Sequence, residues 1–321
     1  MDLATKEALT DRRLFSFLML AGCSWTTFFA LCYHGYEGAW YRLHDVMAFS
    51  PNPPFQHRVL VVWLANLIKT IVPTLSDLAC YWLSQIPPVV LAMYVIKKWA
   101  EFYIETQWAF LAQLLLVAML IPTFRYYTFY DVAIVFFYTI CLLNLMKRRF
   151  GLYLVFFAIG TLNHEVMLLL IPLFVVIYFD SDLPWSRFLS LILLQLTVYA
   201  MVRAALFYFL PAPAAWQSGK LWLNLQLLLS LSRPVADVFL TLIFWYVLAM
   251  IGMKYAPSSL NRCVILLPLL LVMVVAVGQL NEARHFDPFI PIAIALILNL
   301  AKSFRITRSE GETQEQGLVI H

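Results

Sequence analysis

The feature that most constrains this chain is a run of apolar residues that recurs along most of its length. "VILLPLLLVMVVAVGQL" at 264–280 and "FIPIAIALILNL" at 289–300 are two instances. About 20 consecutive apolar residues is the length of one helical membrane crossing. A transmembrane barrel would instead show segments of about 10 residues with alternating polarity. The runs here are continuous, so they predict helices. The chain is 63% hydrophobic and only 12% charged, where a soluble domain carries roughly 25% charge. The predicted fold class is therefore all-α, a polytopic transmembrane helical bundle.

Ten spans can be counted, at about 14–33, 77–96, 105–122, 131–146, 150–162, 165–180, 187–210, 234–253, 263–279 and 287–301. "LAGC" at 20–23 has the form of a lipoprotein cleavage box. The apolar run continues past Cys23 through "SWTTFFALCY", however, which predicts an uncleaved first helix. "VLVVWLANLIKTIV" at 59–72 is short and carries Lys69. Counting it as a span would put Lys97, Lys98, Lys147, Arg148 and Arg149 opposite Arg12 and Arg13. The positive-inside rule disfavours that. It reads as a helix lying on the outer surface. Residues 1–301 then form one transmembrane domain, with a long first outer loop at about 34–76. Residues 302–321 form a polar cytoplasmic tail, predicted to be disordered. Arg187, Lys254, Arg262, Lys302, Arg305 and Arg308 all fall on the cytoplasmic side with both termini.

The same topology sends the other ionisable residues to the outer face. The first loop holds Arg42, His44, Asp45, His57 and Arg58, and the next outer turn holds Arg125 and Asp131. "TLNHEV" gives Asn163, His164 and Glu165, and "NEARHFDP" at 281–288 gives Glu282, Arg284, His285 and Asp287. An ionisable group at the mouth of a span is costly in lipid unless it is paired or lines a wet cavity. Clusters from distant parts of the chain on one face predict a single polar cavity opening outward. The spans at 131–146, 150–162 and 165–180 are too short for a full crossing. Their breaks therefore put Asn163, His164 and Glu165 below the surface, at cavity depth. Each residue also has a plainer reading. Asp131 and Asp45 could be solvated, Glu165 a neutral helix joint, His285 an interfacial ring, and Glu282 a clamp on Arg284 or Arg58. Asp287, one residue before Pro288, reads as a cap of the last span.

Several chemistries are excluded. "HE" at 164–165 has Leu168 where H-E-x-x-H needs a second histidine. Neither G-x-S-x-G nor S-x-x-K occurs, and there is no G-x-x-x-x-G-K-[ST] loop. The net charge of +4 is spread along the cytoplasmic rim, so no basic patch points to nucleic acid. The five cysteines form no C-x-x-C pair and read as buried thiols.

Four stretches taken together, "PFQHRVLVVWL", "YYTFYDVAIVFFYTICLL", "GTLNHEVMLLLIPLF" and "NEARHFDPFIPIAIAL", resemble bacterial polytopic proteins related to the GT-C superfamily of glycosyltransferases. His164 stands where an arginine is common in that pattern. The resemblance implies a GT-C-like fold with a long first outer loop carrying a surface-lying helix. It implies transfer of a sugar from a polyprenyl-phosphate-linked donor, on the outer face of the bacterial inner membrane. The acceptor would be a lipid-linked glycan, a polymer or a protein, and envelope-polysaccharide machinery a possible partner. An acidic residue in the first outer loop commonly serves there as base or metal ligand. A divalent cation is compatible with the sequence but not required by it.

Such a transfer needs a carboxylate to take the acceptor's proton. Asp45 is the first candidate, with Glu165 and Glu282 behind it. The leaving phosphate needs cations, which Arg58 and Arg284 can supply as planar forks. His285, His164, Asn163 and Asp131 are further substrate-binding candidates. Membrane lipid and the prenyl tail need an apolar groove between spans. Three other readings are a carrier or flippase for a lipid-linked or anionic substrate, a membrane acyltransferase using His164 or His285, and a non-catalytic subunit.

Overall fold

A computed structural model describes residues 3–49, 55–124, 130–210, 220–230, 233–278, 280 and 282–318. The described residues are mostly helical and include no β-strand. Among the described residues, five helices are long and apolar enough to cross a membrane: Arg13–Tyr33, Asp77–Ala100, Trp185–Phe209, Ser258–Val277 and Ala283–Phe304. Each coincides with a span expected from the sequence. The other five expected spans fall on shorter apolar helices, at Leu111–Thr123, Asp131–Met146, Phe150–Asn163, Glu165–Tyr178 and Leu242–Tyr255.

The helices, in chain order, are α1 (Leu3–Met47), α2 (Leu60–Ile71), α3 (Asp77–Ala100), α4 (Leu111–Leu120), α5 (Asp131–Met146), α6 (Phe150–Asn163), α7 (Leu170–Tyr178), α8 (Trp185–Phe209), α9 (Leu221–Leu229), α10 (Arg233–Gly252), α11 (Ser258–Arg262), α12 (Leu266–Val277) and α13 (Ile290–Leu318). Two expectations are corrected here. Residues 34–47 are not loop but the continuation of α1, so the loop after the first span begins only past Met47. The polar tail is not irregular either, because α13 runs on to Leu318.

α5 is the centre. It is apolar all round, and such a helix is stable only where every face is covered. Nearly all its side chains are buried, with α3 and α6 as its main partners. Tyrosines pin the surrounding layer. Tyr138 donates to the Val166 carbonyl at 2.6 Å, Tyr178 to Leu145 at 2.5 Å, and Tyr153 to Gln195 Oε1 at 2.6 Å. Such bonds between membrane helices average about 0.6 kcal/mol each. α8 lies at the rim, with only Phe188, Gln195 and Leu206 buried along its length. α10 and α13 approach so closely that a Cβ on Gly252 would collide with the Leu296 carbonyl, the use small residues have at helix crossings.

α3 shows how sequence sets a helix and then flaws it. Ser76 caps its start by accepting from the Ala79 N–H at 3.2 Å, Asp77 follows in the first turn, and Lys97 and Lys98 close the last. That order suits the helix dipole. Pro87 and Pro88 in the middle bring no N–H for the carbonyls one turn back. Ser84, Pro87, Pro88 and Leu91 form one wall of an apolar pocket of about 360 Å³, closed by α2 and by Phe136 and Phe137 of α5. α2 buries Val61, Val62 and Ala65 while Trp63, Leu67 and Ile71 stay exposed.

Candidate functional site

Three chain breaks build the site. The first is the short 3-10 turn Phe55–His57, after which the Val59 N–H bonds to the Leu162 carbonyl at 2.9 Å. That tie delivers Arg58 to the end of α6. The second is the joint between α6 and α7. His164 is extended there, with φ −161° and ψ 139°, and a 3-10 turn Glu165–Leu169 follows. The third is the 3-10 segment Ala283–Phe289 between α12 and α13. It holds "ARHFDPF", and Pro288, which has no N–H to give, lies near its end, two residues before α13 begins.

Arg58 is buried and donates twice to Glu165, from Nε to Oε2 at 3.1 Å and from NH2 to Oε1 at 2.5 Å. This is the bidentate fork that fits carboxylate or phosphate. The Tyr130 ring lies 5.6 Å from the Arg58 guanidinium carbon. His164 Nδ1 accepts the Val166 N–H at 3.1 Å, so that nitrogen bears no proton and the imidazole is neutral. Asn163 Nδ2 donates to the Tyr130 carbonyl at 3.2 Å, which ties the end of α6 to the start of α5.

Facing this pair, Arg284 donates from Nε and NH2 to Glu282 Oε2, at 2.9 and 2.7 Å. His285 Nε2 lies 3.2 Å from the same oxygen. Burial raises the Glu282 pKa, but the His285 hydrogen bond and the Arg284 and His285 charges outweigh it, holding it down at about 2. Arg284 NH1 points toward Asp131 Oδ1, at 3.8 Å. Asp131 does not face solvent as the sequence allowed. It begins α5, an interior helix, and is 2% exposed.

Arg58, Asp131, His164, Arg284 and His285 thus line one cavity of about 10 Å³, room for about one water. Glu165 and Glu282 hold two of its walls through the arginines. Asn163 stands beside it through Tyr130. Asp45 is placed differently, exposed on the last turn of α1. Asp287 is not a cap. Its side chain is buried and meets the Thr123 hydroxyl, Oδ2 to Oγ1 at 3.3 Å. Arg125 and Asn281 lie outside the described residues. Among those described, no group of three His, Cys, Asp or Glu is arranged to hold a metal ion.

Sequence reasoning missed Arg203. It lies within the apolar helix α8, on a stripe with Tyr199 and Phe207 at four-residue spacing. Tyr199 donates to the Glu165 carbonyl at 3.2 Å, and Phe207 packs on the His57 ring at 4.3 Å between centroids. Arg203 sits over Phe207 at 5.4 Å, and its NH1 is buried with no hydrogen-bond partner among the described residues. A lone arginine far inside an apolar run was the available signal.

The apolar pocket lies on another face of α5, Asp131 and Ile134 turning to the cavity and Ala133, Phe136 and Phe137 to the pocket. Leu60 and Val61, just past Arg58, and Ala133, just past Asp131, lie on its wall. Compared with known proteins, the chain matches no family model, no curated protein and no solved structure.

Proposed function

We propose that this chain is a membrane glycosyltransferase of GT-C type, taking a sugar from a polyprenyl-phosphate carrier and delivering it to a lipid-linked or polymer acceptor. In this reading it crosses the bacterial inner membrane about ten times, with both termini cytoplasmic and the active face outward. The observation that carries the reading is the convergence of two carboxylate-held arginines, Arg58 and Arg284, on one cavity. Arg58 meets both oxygens of Glu165 in the geometry that binds phosphate, and Arg284 gives Nε and NH2 to one oxygen of Glu282. The pocket between α2, α3 and α5 has Leu60 and Ala133, two residues past Arg58 and Asp131, on its wall. It offers the prenyl chain an apolar bed.

The chemistry follows from that placement. As the sugar–phosphate bond breaks, negative charge grows on the phosphate, and fixed guanidiniums stabilise it most where water is excluded. An acceptor hydroxyl loses its proton to a carboxylate. Glu165 and Glu282 lie beside the arginines. Asp45 could reach the site only from the exposed end of α1. A narrow cavity fits a resting state, in which each carboxylate occupies its arginine until phosphate displaces it.

The test is transfer of a radiolabelled sugar from a short polyprenyl-phosphate donor by the purified protein in lipid nanodiscs. Donor binding without turnover would favour the carrier reading. The same cluster supports it, because buried acids and arginines inside a membrane also mark ion and substrate pathways.

A further inference from the structure

Asp131 and Asp287 are the most deeply buried acids of the site, and each has an unused oxygen. Asp131 is 2% exposed and Asp287 0%. Among the described residues, Asp131 Oδ2 and Asp287 Oδ1 have no hydrogen-bond partner. The neighbours of each acid can be named element by element. Asp131 feels Arg284 and Glu282 from the 282–289 segment, Arg58 from the turn before α2, Tyr81 from α3 and Tyr130 beside it. Asp287 meets Thr123 from the turn after α4, Asp131 from α5, Arg284 from its own segment and Tyr246 from α10.

Thr123 offers Asp287 only a weak hydrogen bond. Its Oγ1 lies 2.8 Å from the Leu120 carbonyl and 3.3 Å from Asp287 Oδ2. A hydroxyl has one hydrogen to give. The shorter contact ends on a carbonyl, which can only accept, so it takes that hydrogen. The 3.3 Å contact therefore gives Asp287 little to hold a charge, and among the described residues Arg284 is paired with Asp131 rather than with Asp287. Charge points the same way. Arg58 is matched by Glu165, which leaves Asp131, Asp287 and Glu282 around one remaining guanidinium, Arg284. A fully buried carboxylate with an unpartnered oxygen is tolerated when neutral and strongly disfavoured when ionised.

We propose that Asp131 and Asp287 hold one proton between them, carried here by Asp287, and that this acid pair is a proton-binding site set behind the cavity arginine. Arg284 and Asp131 both line the cavity, and Asp287 lies behind them, against Thr123. An anion that takes over the Arg284 guanidinium removes the counter-ion of Asp131. A proton supplied by the solvent then neutralises Asp131, and it returns to solvent when the anion leaves. This exchange rests on the proposed anion site, whereas the resident proton does not.

Infrared spectroscopy of the purified chain in nanodiscs at neutral pH tests the resident proton. The expected signal is the carbonyl stretch of a protonated carboxylic acid, displaced by transfer into heavy water. Labelling aspartate with carbon-13 at its carboxyl should displace it too, which assigns it to aspartate in the unsubstituted chain. Asp287→Asn should abolish it, since the amide keeps the shape and an oxygen for the Thr123 hydroxyl. No such band, a band blind to the aspartate label, or a band that survives Asp287→Asn overturns the proposal. A second measurement adds farnesyl phosphate in weak buffer with a pH indicator. Binding with uptake of a proton supports the exchange, and binding without uptake overturns it. Absence of binding counts against the anion site alone and leaves the resident proton to stand on its band.

Discussion

Arg58 gives two N–H groups to one carboxylate, Glu165, which stands 107 residues further along the chain. The pair links the turn before α2 to the joint between α6 and α7, so it positions both walls it belongs to. Breaking a buried pair strands the partner's charge at a cost of about 3–5 kcal/mol. Arg58→Ala and Glu165→Ala should each lower stability by about that amount. The double variant should lose much less than the sum. Thermal unfolding of the three proteins in one detergent measures it, and additive losses would mean the two groups do not act as a pair.

Glu282 makes stability depend on pH. Its folded pKa lies at about 2, below the ordinary 4.5. A depressed carboxylate contributes stability that is complete above 4.5 and is lost as pH falls toward 2. The contribution is on the order of 3 kcal/mol. Unfolding midpoints of wild type should therefore fall more steeply between pH 4.5 and 2 than those of Glu282→Gln. Parallel curves would assign the acid sensitivity to other groups.

Asn224 should prove a structural pin. Its Nδ2 lies 3.0 Å from the carbonyls of Val274, Val275 and Gly278, and its Oδ1 accepts the Leu280 N–H at 3.0 Å. These are the groups a helix leaves open where it ends, here at the end of α12 just before Glu282. Asn224→Ala takes this partner from the Leu280 N–H and the Val275 and Gly278 carbonyls, at about 1–3 kcal/mol per unmet group, while Val274 still accepts the Gly278 N–H at 2.9 Å. Hydrogen exchange at Leu280 should accelerate well beyond the change at α5. Equal acceleration everywhere would make the loss global rather than local.

Topology gives a fourth prediction. The basic residues Lys147, Arg148 and Arg149 are exposed between α5 and α6, with Arg148 paired to Asp182 at 2.5 Å. If the basic rim is cytoplasmic, a cysteine at 148 in a cysteine-free background resists an impermeant reagent on intact cells. Labelling from outside would invert the assignment of the site to the outer face.

What could be read in advance was what depends on local chemistry. Apolar runs fix helices wherever they stand, and the breaks at His164 and ahead of Pro288 announce themselves in "GTLNHE" and "RHFDP". Arg58, Glu165, Glu282 and Arg284 drew attention because charge at a span mouth is costly; Asp131 was left open to solvent, and Asp45, put first as base, is exposed on α1 instead. Side-chain partners were not, since they depend on which helices pack together. Asp287 beside a proline reads as a cap. Only the packing of α4 against α13 turns it inward to Thr123. Asn224 is one polar residue in "LWLNLQLLL", with nothing local to show that it caps another helix. The continuation of α1 to Met47 was hidden because "YHGYEGAWYRLHD" carries the glycines and charges of a loop.

Arg284 offers the sharpest separation of roles. Its Nε and NH2 both reach Glu282 Oε2, and NH1 is directed at Asp131. Arg284→Lys keeps the positive charge but loses the planar fork. A lysine can still pair with Glu282 as a point charge, so the chain should fold and insert. Phosphate held by two parallel bonds would be held by one. Losing a charge-assisted hydrogen bond is worth about 1.5–3 kcal/mol, a drop in transfer of roughly 10- to 150-fold if it is made in the transition state. Transfer from a polyprenyl-phosphate sugar, with melting temperature as the folding control, measures it. A folded variant with reduced turnover supports phosphate recognition by the fork. Undiminished turnover would reduce Arg284 to a structural partner of Glu282.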